Sequence, residues 1–225
     1  MLSPMSDDKI SINEAVEAAL NLDGDPKKVR AFYEEWAKNY DIDTTSSVYS
    51  GSRIAAKLFH QFSRSSEQEV CFSFNIMDAG CGTGFVGEEL SKLGYECIDG
   101  FDLSDAMAKK ATETGSYREV KGGIDMMRAA QSYSPQSYAG VLSIGVFTLG
   151  HVQPEALRVL IDLLSPDGLL VVSTRSHYYD QSNFQEVVDQ LIDEGQLLLL
   201  KLIKDAPYNV DGYGHYWVFR KLGKV

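Results

Sequence analysis

The chain has 225 residues, 44% hydrophobic and 24% charged, with a formal net charge of −11. That length supports one sizeable core with a small appendage. The acidic balance excludes nucleic acid or an anionic membrane surface as the main partner, because phosphate binding needs a basic face. No apolar run approaches the roughly 20 residues of a spanning helix. The first ten residues are polar and acidic, unlike a signal peptide. Cys71, Cys81 and Cys97 have neither an even count nor metal-ligand spacing. A reduced, cytoplasmic protein without a metal is expected.

In chain order, Asn13–Leu22 is predicted helical and is stopped by Asp23-Gly24-Asp25-Pro26. Pro26 suits the first turn of a second helix, Lys27–Tyr40. Its apolar positions Val29, Phe32, Tyr33, Trp36, Ala37 and Tyr40 fall on one helical face. Thr44–Tyr49 reads as a polar loop, Ser52–Phe62 as a third helix, and Ser63–Glu69 as a polar linker. That linker sets the expected division: 1–69 a helical lid or cap, 70–225 the core. Beyond it strands alternate with helices. Strands are predicted at Phe74–Asp78, Glu96–Asp102, Tyr117–Lys121, Ala139–Ile144, Leu169–Thr174, Leu197–Lys204 and Tyr213–Arg220. Helices are predicted at Gly84–Leu93, Asp105–Thr114, Pro154–Leu164 and Asn183–Glu194. This alternation predicts an α/β, Rossmann-like doubly wound sheet, seven-stranded and mostly parallel. The last two strands lack an intervening helix, so they pair antiparallel at the sheet's end.

The chemistry concentrates in Ile76-Met77-Asp78-Ala79-Gly80-Cys81-Gly82-Thr83-Gly84, an apolar strand running into a glycine turn and then an amphipathic helix. Glycine there permits φ > 0 and lets a ligand approach the backbone. The G-x-G-x-G rhythm differs from the G-x-G-x-x-G of dinucleotide-binding turns. Alone it is equally a tight strand-to-helix turn. The second strand ends at Asp102, near the roughly 20-residue spacing at which an acid accepts ribose hydroxyls. Asp102 is alternatively an N-cap for the next helix, a job Ser104 can also do.

Here the chain resembles the class I S-adenosylmethionine-dependent methyltransferases. The resemblance is carried by Met77 to Gly84, by Gly100-Phe101-Asp102-Leu103-Ser104 with Met107, and by Leu164-Ser165-Pro166-Asp167-Gly168-Leu169-Leu170. Two further segments, Tyr33 to Asp41 and Gly145 to Val152, resemble the small methyltransferase-like proteins named after the Williams–Beuren syndrome region. The resemblance implies S-adenosylmethionine as cofactor, with S-adenosylhomocysteine as product, and a small-molecule methyl acceptor. It places Asp78 near the cofactor's amino end, and Gly80, Cys81, Gly82 and Gly84 beneath its methionine and ribose. Asp102 is placed on the ribose hydroxyls, Leu103 and Met107 beside the adenine, Asp125 at the adenine amino group, and Ile144 at the end of the fourth strand. The lid helix, read as packing across the cofactor crevice, brings Tyr40 or Tyr33 near the methionine part. The chain departs from the family at Tyr138-Ala139-Gly140, where many members open the fourth strand with an aromatic-Asp pair.

Acceptor-side candidates come from loops at the strands' carboxyl ends. His151 is a candidate base or substrate contact, or a loop histidine bracing the N-terminal helix. Trp36, Phe147, Arg175, His177, Tyr208 and Tyr213 are candidate substrate contacts. Arg175 either meets a substrate carboxylate or pairs with one of the chain's many acids. The aromatic face of the lid helix is either core packing or a cover over the cofactor crevice. A nicotinamide-dependent oxidoreductase and a non-catalytic binding protein are the competing functions. The protein is expected as a monomer or homodimer.

Overall fold

Seven strands form one sheet in the order β3-β2-β1-β4-β5-β7-β6 in the computed structural model, which describes residues 15, 17–19, 21–45, 50–63, 74–209 and 212–223. The strands are β1 (Ile76–Ala79), β2 (Ile98–Phe101), β3 (Glu119–Lys121), β4 (Tyr138–Phe147), β5 (Leu164–Arg175), β6 (Leu197–Asn209) and β7 (Gly212–Lys221). β1 to β5 pair in parallel, while β7 pairs antiparallel with both β5 and β6. The predicted seven-stranded, mostly parallel sheet is therefore present.

The helices are α1 (Pro26–Trp36), α2 (Tyr40–Thr45), α3 (Gly51–Ser63), α4 (Phe85–Lys92), α5 (Asp105–Glu113), α6 (Ala156–Leu163), α7 (Ser176–Gln181) and α8 (Phe184–Asp193). Both sheet faces are apolar, as a covered parallel sheet requires. On β1, Met77 and Ala79 enter one buried cluster and Ile76 the other. The first cluster lies under α6 and α8, with Leu157, Leu160, Phe184 and Val188 packed on Trp217 and Phe219. The second lies under α3 and α4, with Ala55, Phe59 and Leu90 packed on Leu142 and Val171.

Several boundaries differ from the sequence reading. The helix predicted over Lys27–Tyr40 breaks after Trp36, where the Asn39 amide closes a turn on the Trp36 carbonyl at 3.0 Å. Tyr40–Thr45 then forms α2, over part of the predicted polar loop. Residues 126–131 form a 3₁₀ helix and Ser176–Gln181 a short α-helix, neither anticipated. β5 begins at Leu164 rather than Leu169, because Ser165 to Gly168 form a bulge in which Asp167 has φ +62°. Of the predicted helix Asn13–Leu22, Ala15 and residues 17–19 are helical; the remainder to residue 20, like the linker beyond Ser63, lies outside the described residues.

At the departure from the family pattern, Gly140 lies against the Phe59 ring, which a Cβ there would overlap. The Tyr138 hydroxyl donates to Asp99 at 3.0 Å, and Arg118 donates to both Asp99 oxygens at 2.9 and 2.5 Å. Local support at this strand opening thus comes from α3 and from a buried acid on β2.

Candidate functional site

The glycine turn follows β1 immediately. Gly80 has φ +77°, and a Cβ there would overlap Val146 Cγ2. Gly82 has φ +54°, with open space where a Cβ would stand. Both positions need glycine, the first for packing and backbone and the second for backbone alone. Gly84, at φ +105°, caps α4. Its Cβ would meet Ala111 Cα and Thr114 Cγ2, both at 3.1 Å, so its role is close packing on α5.

Asp102 lies across the turn. Its Oδ2 accepts the Gly82 amide at 2.8 Å and its Oδ1 accepts the Ser104 amide at 2.9 Å. The Ser104 hydroxyl caps α5 by accepting the Met107 amide at 3.2 Å. The cap is therefore Ser104, and the Asp102 carboxylate is held by backbone amides of the turn. Burial pushes Asp102 up to about 6, against the pull of the Ser104 and Gly82 amides. Asp78, 1% exposed, is pushed up to about 7 by burial, although its Oδ2 accepts the Tyr117 hydroxyl at 2.7 Å. Asp78 Oδ1 and Thr83 Oγ1 are buried without a hydrogen-bond partner among the described residues.

A cavity of ≈ 200 Å³ opens over this turn. Of the residues singled out in the sequence, Tyr33, Tyr40, Gly80, Cys81, Gly82, Asp102, Leu103, Met107, Asp125, Ile144 and His151 line it. Asp78 and Gly84 do not; they lie behind the turn. Asp125 also caps the 3₁₀ helix by accepting the Met127 amide at 3.0 Å. Sequence reasoning missed Gly24, Pro26 and Val29, which close the cavity from the N-terminal side, and Ile124, Met126 and Gln153. Position could have signalled two of these, since Ile124 and Met126 flank Asp125. The others come from segments brought in by tertiary contact.

α1 is held over the core by polar clamps. The Glu34 carboxylate accepts the Asp105 and Ala106 amides at 2.6 and 3.1 Å, and Arg30 pairs with Asp105. Lys110 pairs with Asp41 at 3.2 Å. The Gly24 amide donates to the Gly150 carbonyl at 3.0 Å. Inside the cavity, Tyr33 Oη lies 2.8 Å from His151 Nε2, and His151 Nδ1 lies 2.8 Å from the Leu149 carbonyl. A carbonyl only accepts, so Nδ1 carries the proton and Nε2 accepts from the Tyr33 hydroxyl. Burial pushes the His151 imidazole down, so it is neutral at pH 7.

The remaining candidates lie elsewhere. Trp36 is off the cavity; its indole N–H donates to Asp43 at 2.9 Å, and its ring props Tyr33 and Tyr40. Phe147 lines neither this cavity nor the one described next: β4 extends through it and buries it completely against Tyr178 and Phe184. Arg175, His177 and Tyr213 line a second cavity of ≈ 410 Å³ at the ends of β5 and β7. Tyr208 is buried below Arg175, ring to guanidinium, at 4.9 Å. Among the described residues, no helix is long and apolar enough to cross a membrane.

A family model described as a methyltransferase domain matches residues 32–222. The chain is 28% identical over 165 residues to human methyltransferase-like protein 27, covering 72% of this chain and 63% of that one, so it spans less than two thirds of the human protein. It is 26% identical over 194 residues to malonyl-(acyl-carrier protein) O-methyltransferase 2 of Ilyobacter polytropus, covering 83% and 71%. Its fold is similar to the crystal structure of magnesium protoporphyrin IX methyltransferase from Synechocystis PCC 6803 with bound SAH, with a TM-score of 0.63 at 13% identity, over 88% of this chain and 99% of that one. With the glycine turn, the acid at the end of β2 and the sheet order in place, the chain belongs to the methyltransferase domain family, as a class I S-adenosylmethionine-dependent methyltransferase.

Proposed function

We propose that this protein transfers a methyl group from S-adenosylmethionine to a small-molecule acceptor, in the cavity between the glycine turn and α1. The observation that carries the reading is the arrangement of Asp102: half-buried, fixed by backbone amides, with its two carboxylate oxygens beside the open space over Gly82. A vicinal diol satisfies that pair of acceptors. The orphaned Thr83 Oγ1, on the cavity wall, fits a polar ligand at the same turn, since buried polar atoms are ordinarily paired. The residues present therefore fit the cofactor: Asp102 for the ribose, Leu103 and Met107 beside the adenine, Asp125 at its amino group, and Gly80 to Gly82 beneath the methionine part.

When bound, S-adenosylmethionine supplies an already activated methyl group, so the protein's main task is placement. Tyr33 on α1 and Tyr40 at the start of α2 close the cavity and exclude water. His151 is the neutral base nearest to hand. Its free lone pair already holds the Tyr33 hydroxyl, so a proton reaches it through Tyr33 or after Tyr33 turns away. We read residues 1–69 as a lid segment on a core of 70–225, and the protein as cytoplasmic.

A second reading, a binding protein without turnover, is favoured by one observation: both His151 nitrogens are engaged. One experiment separates the two. Purified protein is incubated with S-adenosylmethionine carrying a deuterated methyl and a fractionated metabolite extract, and products are read by mass spectrometry. The methyltransferase reading expects a labelled small molecule and S-adenosylhomocysteine in equal amounts. Binding of S-adenosylhomocysteine with no labelled product in any fraction would contradict it. The oxidoreductase alternative falls with the family assignment.

A further inference from the structure

Arg175 ends β5, in a chain that carries 32 acidic against 21 basic side chains. Yet the half-buried Arg175 guanidinium makes no hydrogen bond or ion pair among the described residues; its one close partner is the face of Tyr208 at 4.9 Å. Such stacking fixes the guanidinium plane while leaving its N–H edge open. That edge borders the second cavity, which Ser176 also lines. Ser176 Oγ is buried there without a partner among the described residues, and so is the hydroxyl of Tyr216 nearby. Register explains the grouping: Ser173 pairs with Tyr216 and Arg175 with Gly214, so Ser173, Arg175 and Tyr216 share one sheet face. A chain of contacts ties this cavity to the site over the glycine turn: Arg175 stacks on Tyr208, the Tyr208 and Ser173 hydroxyls lie 3.5 Å apart, and the Ser173 hydroxyl accepts the amide of Gly145, which lines the first cavity, at 3.0 Å.

We propose that the second cavity is the acceptor's anchoring site and that it takes a carboxylate, held edge-on by the Arg175 guanidinium with the Ser176 hydroxyl as a further donor. The proposal rests on the methyltransferase reading for the word acceptor, but the carboxylate site stands on its own geometry. A carboxylate fits better than a phosphate. The planar fork of one arginine matches two carboxylate oxygens. A dianion would need more than one cation, and Asp205 on the same cavity wall opposes it.

The test uses the full-length, isotope-labelled protein and follows arginine Nε–H resonances by NMR. The Arg175 signal is identified by its loss in both Arg175→Met and Arg175→Lys. Hexanoate and benzoate are titrated against hexanamide, benzamide and inorganic phosphate. The expected result is a saturable shift of the Arg175 signal with the acids, at least roughly tenfold stronger than with the amides or phosphate, and weakened several-fold by Ser176→Ala. No shift with either acid, or an equal shift with amides or phosphate, would overturn the proposal. Calorimetry with S-adenosylhomocysteine is run alongside, and equal affinity for wild type and Arg175→Met is expected. Loss of that binding in the wild type as well would strike the donor reading and leave the carboxylate result to be judged separately.

Discussion

The two sides of the molecule's crevice are built from different materials. The proposed donor side is backbone: amides of Gly82 and Ser104 on Asp102, three turn glycines at positive φ, and two strands only four residues long. The proposed acceptor side is assembled from side chains on α1, the loop after β4, and the ends of β5 and β7, with contacts such as Tyr33–His151 across 118 positions. Backbone geometry can be specified by a few adjacent residues and tolerates almost no substitution. A side-chain wall can be rebuilt for another substrate while the sheet is kept. This contrast accounts for a chain whose donor is plain from its family and whose acceptor is not.

The sharpest way to break the comparison is at the turn. Gly80→Ala meets both a positive φ and the Val146 side chain. It should cost roughly 3 kcal/mol of stability, read by denaturant unfolding, and abolish S-adenosylhomocysteine binding. Gly82→Ala meets only the backbone penalty, about 1 kcal/mol. It should fold, yet bind S-adenosylhomocysteine at least roughly tenfold more weakly, because the new methyl occupies ligand space. Normal affinity in Gly82→Ala would mean that the space over the turn is not the donor's.

Asp102→Ala removes the acceptor of two amides as well as the proposed ribose contact. A loss of about 1–3 kcal/mol in cofactor affinity is expected by calorimetry. The pH dependence follows with a definite sign. Asp102 is held at about 6 against an ordinary 3.8, and Asp78 at about 7. The folded, ligand-free protein therefore binds these protons more tightly than the unfolded chain. Their contribution to stability is present near pH 4, is lost as pH rises to about 7, and is level above that. Cofactor affinity should run the other way, rising by at most about tenfold per pH unit per proton as Asp102 ionises, and Asp102→Asn should flatten that limb. Stability that instead climbs across this interval would contradict the burial argument.

Smallest of all should be Tyr33→Phe, which frees His151 Nε2 and costs about 1 kcal/mol of lid closure. It should raise hydrogen exchange in Pro26–Trp36 while leaving the glycine turn unchanged. Exchange raised equally in both would show that lid and turn open as one unit.

The same contrast governs what the residues disclosed before any coordinates. The strand and helix segments, the glycine turn and the Ser104 cap were legible because each depends on neighbours a few positions away. Phe147 was misread as a substrate contact, since nothing local tells that β4 runs on through it into the core. The third glycine of the turn was grouped with the ligand-facing ones, whereas Gly84 faces Ala111 of α5 across a helix crossing that only packing reveals. The break after Trp36 was hidden because the apolar period continues through Tyr40 while the backbone turns. Arg175 looked set to pair with an acid in so acidic a chain, and the register of β5 with β7 leaves it on a tyrosine face instead.

Hydrogen exchange with and without S-adenosylhomocysteine tests the central claim most directly, that the donor binds between the glycine turn and α1. The account predicts slower exchange on ligand addition in two separate stretches, residues 80–84 with 101–107, and residues 26–36. Unchanged exchange in both, or protection confined to some other part of the sheet, would contradict it.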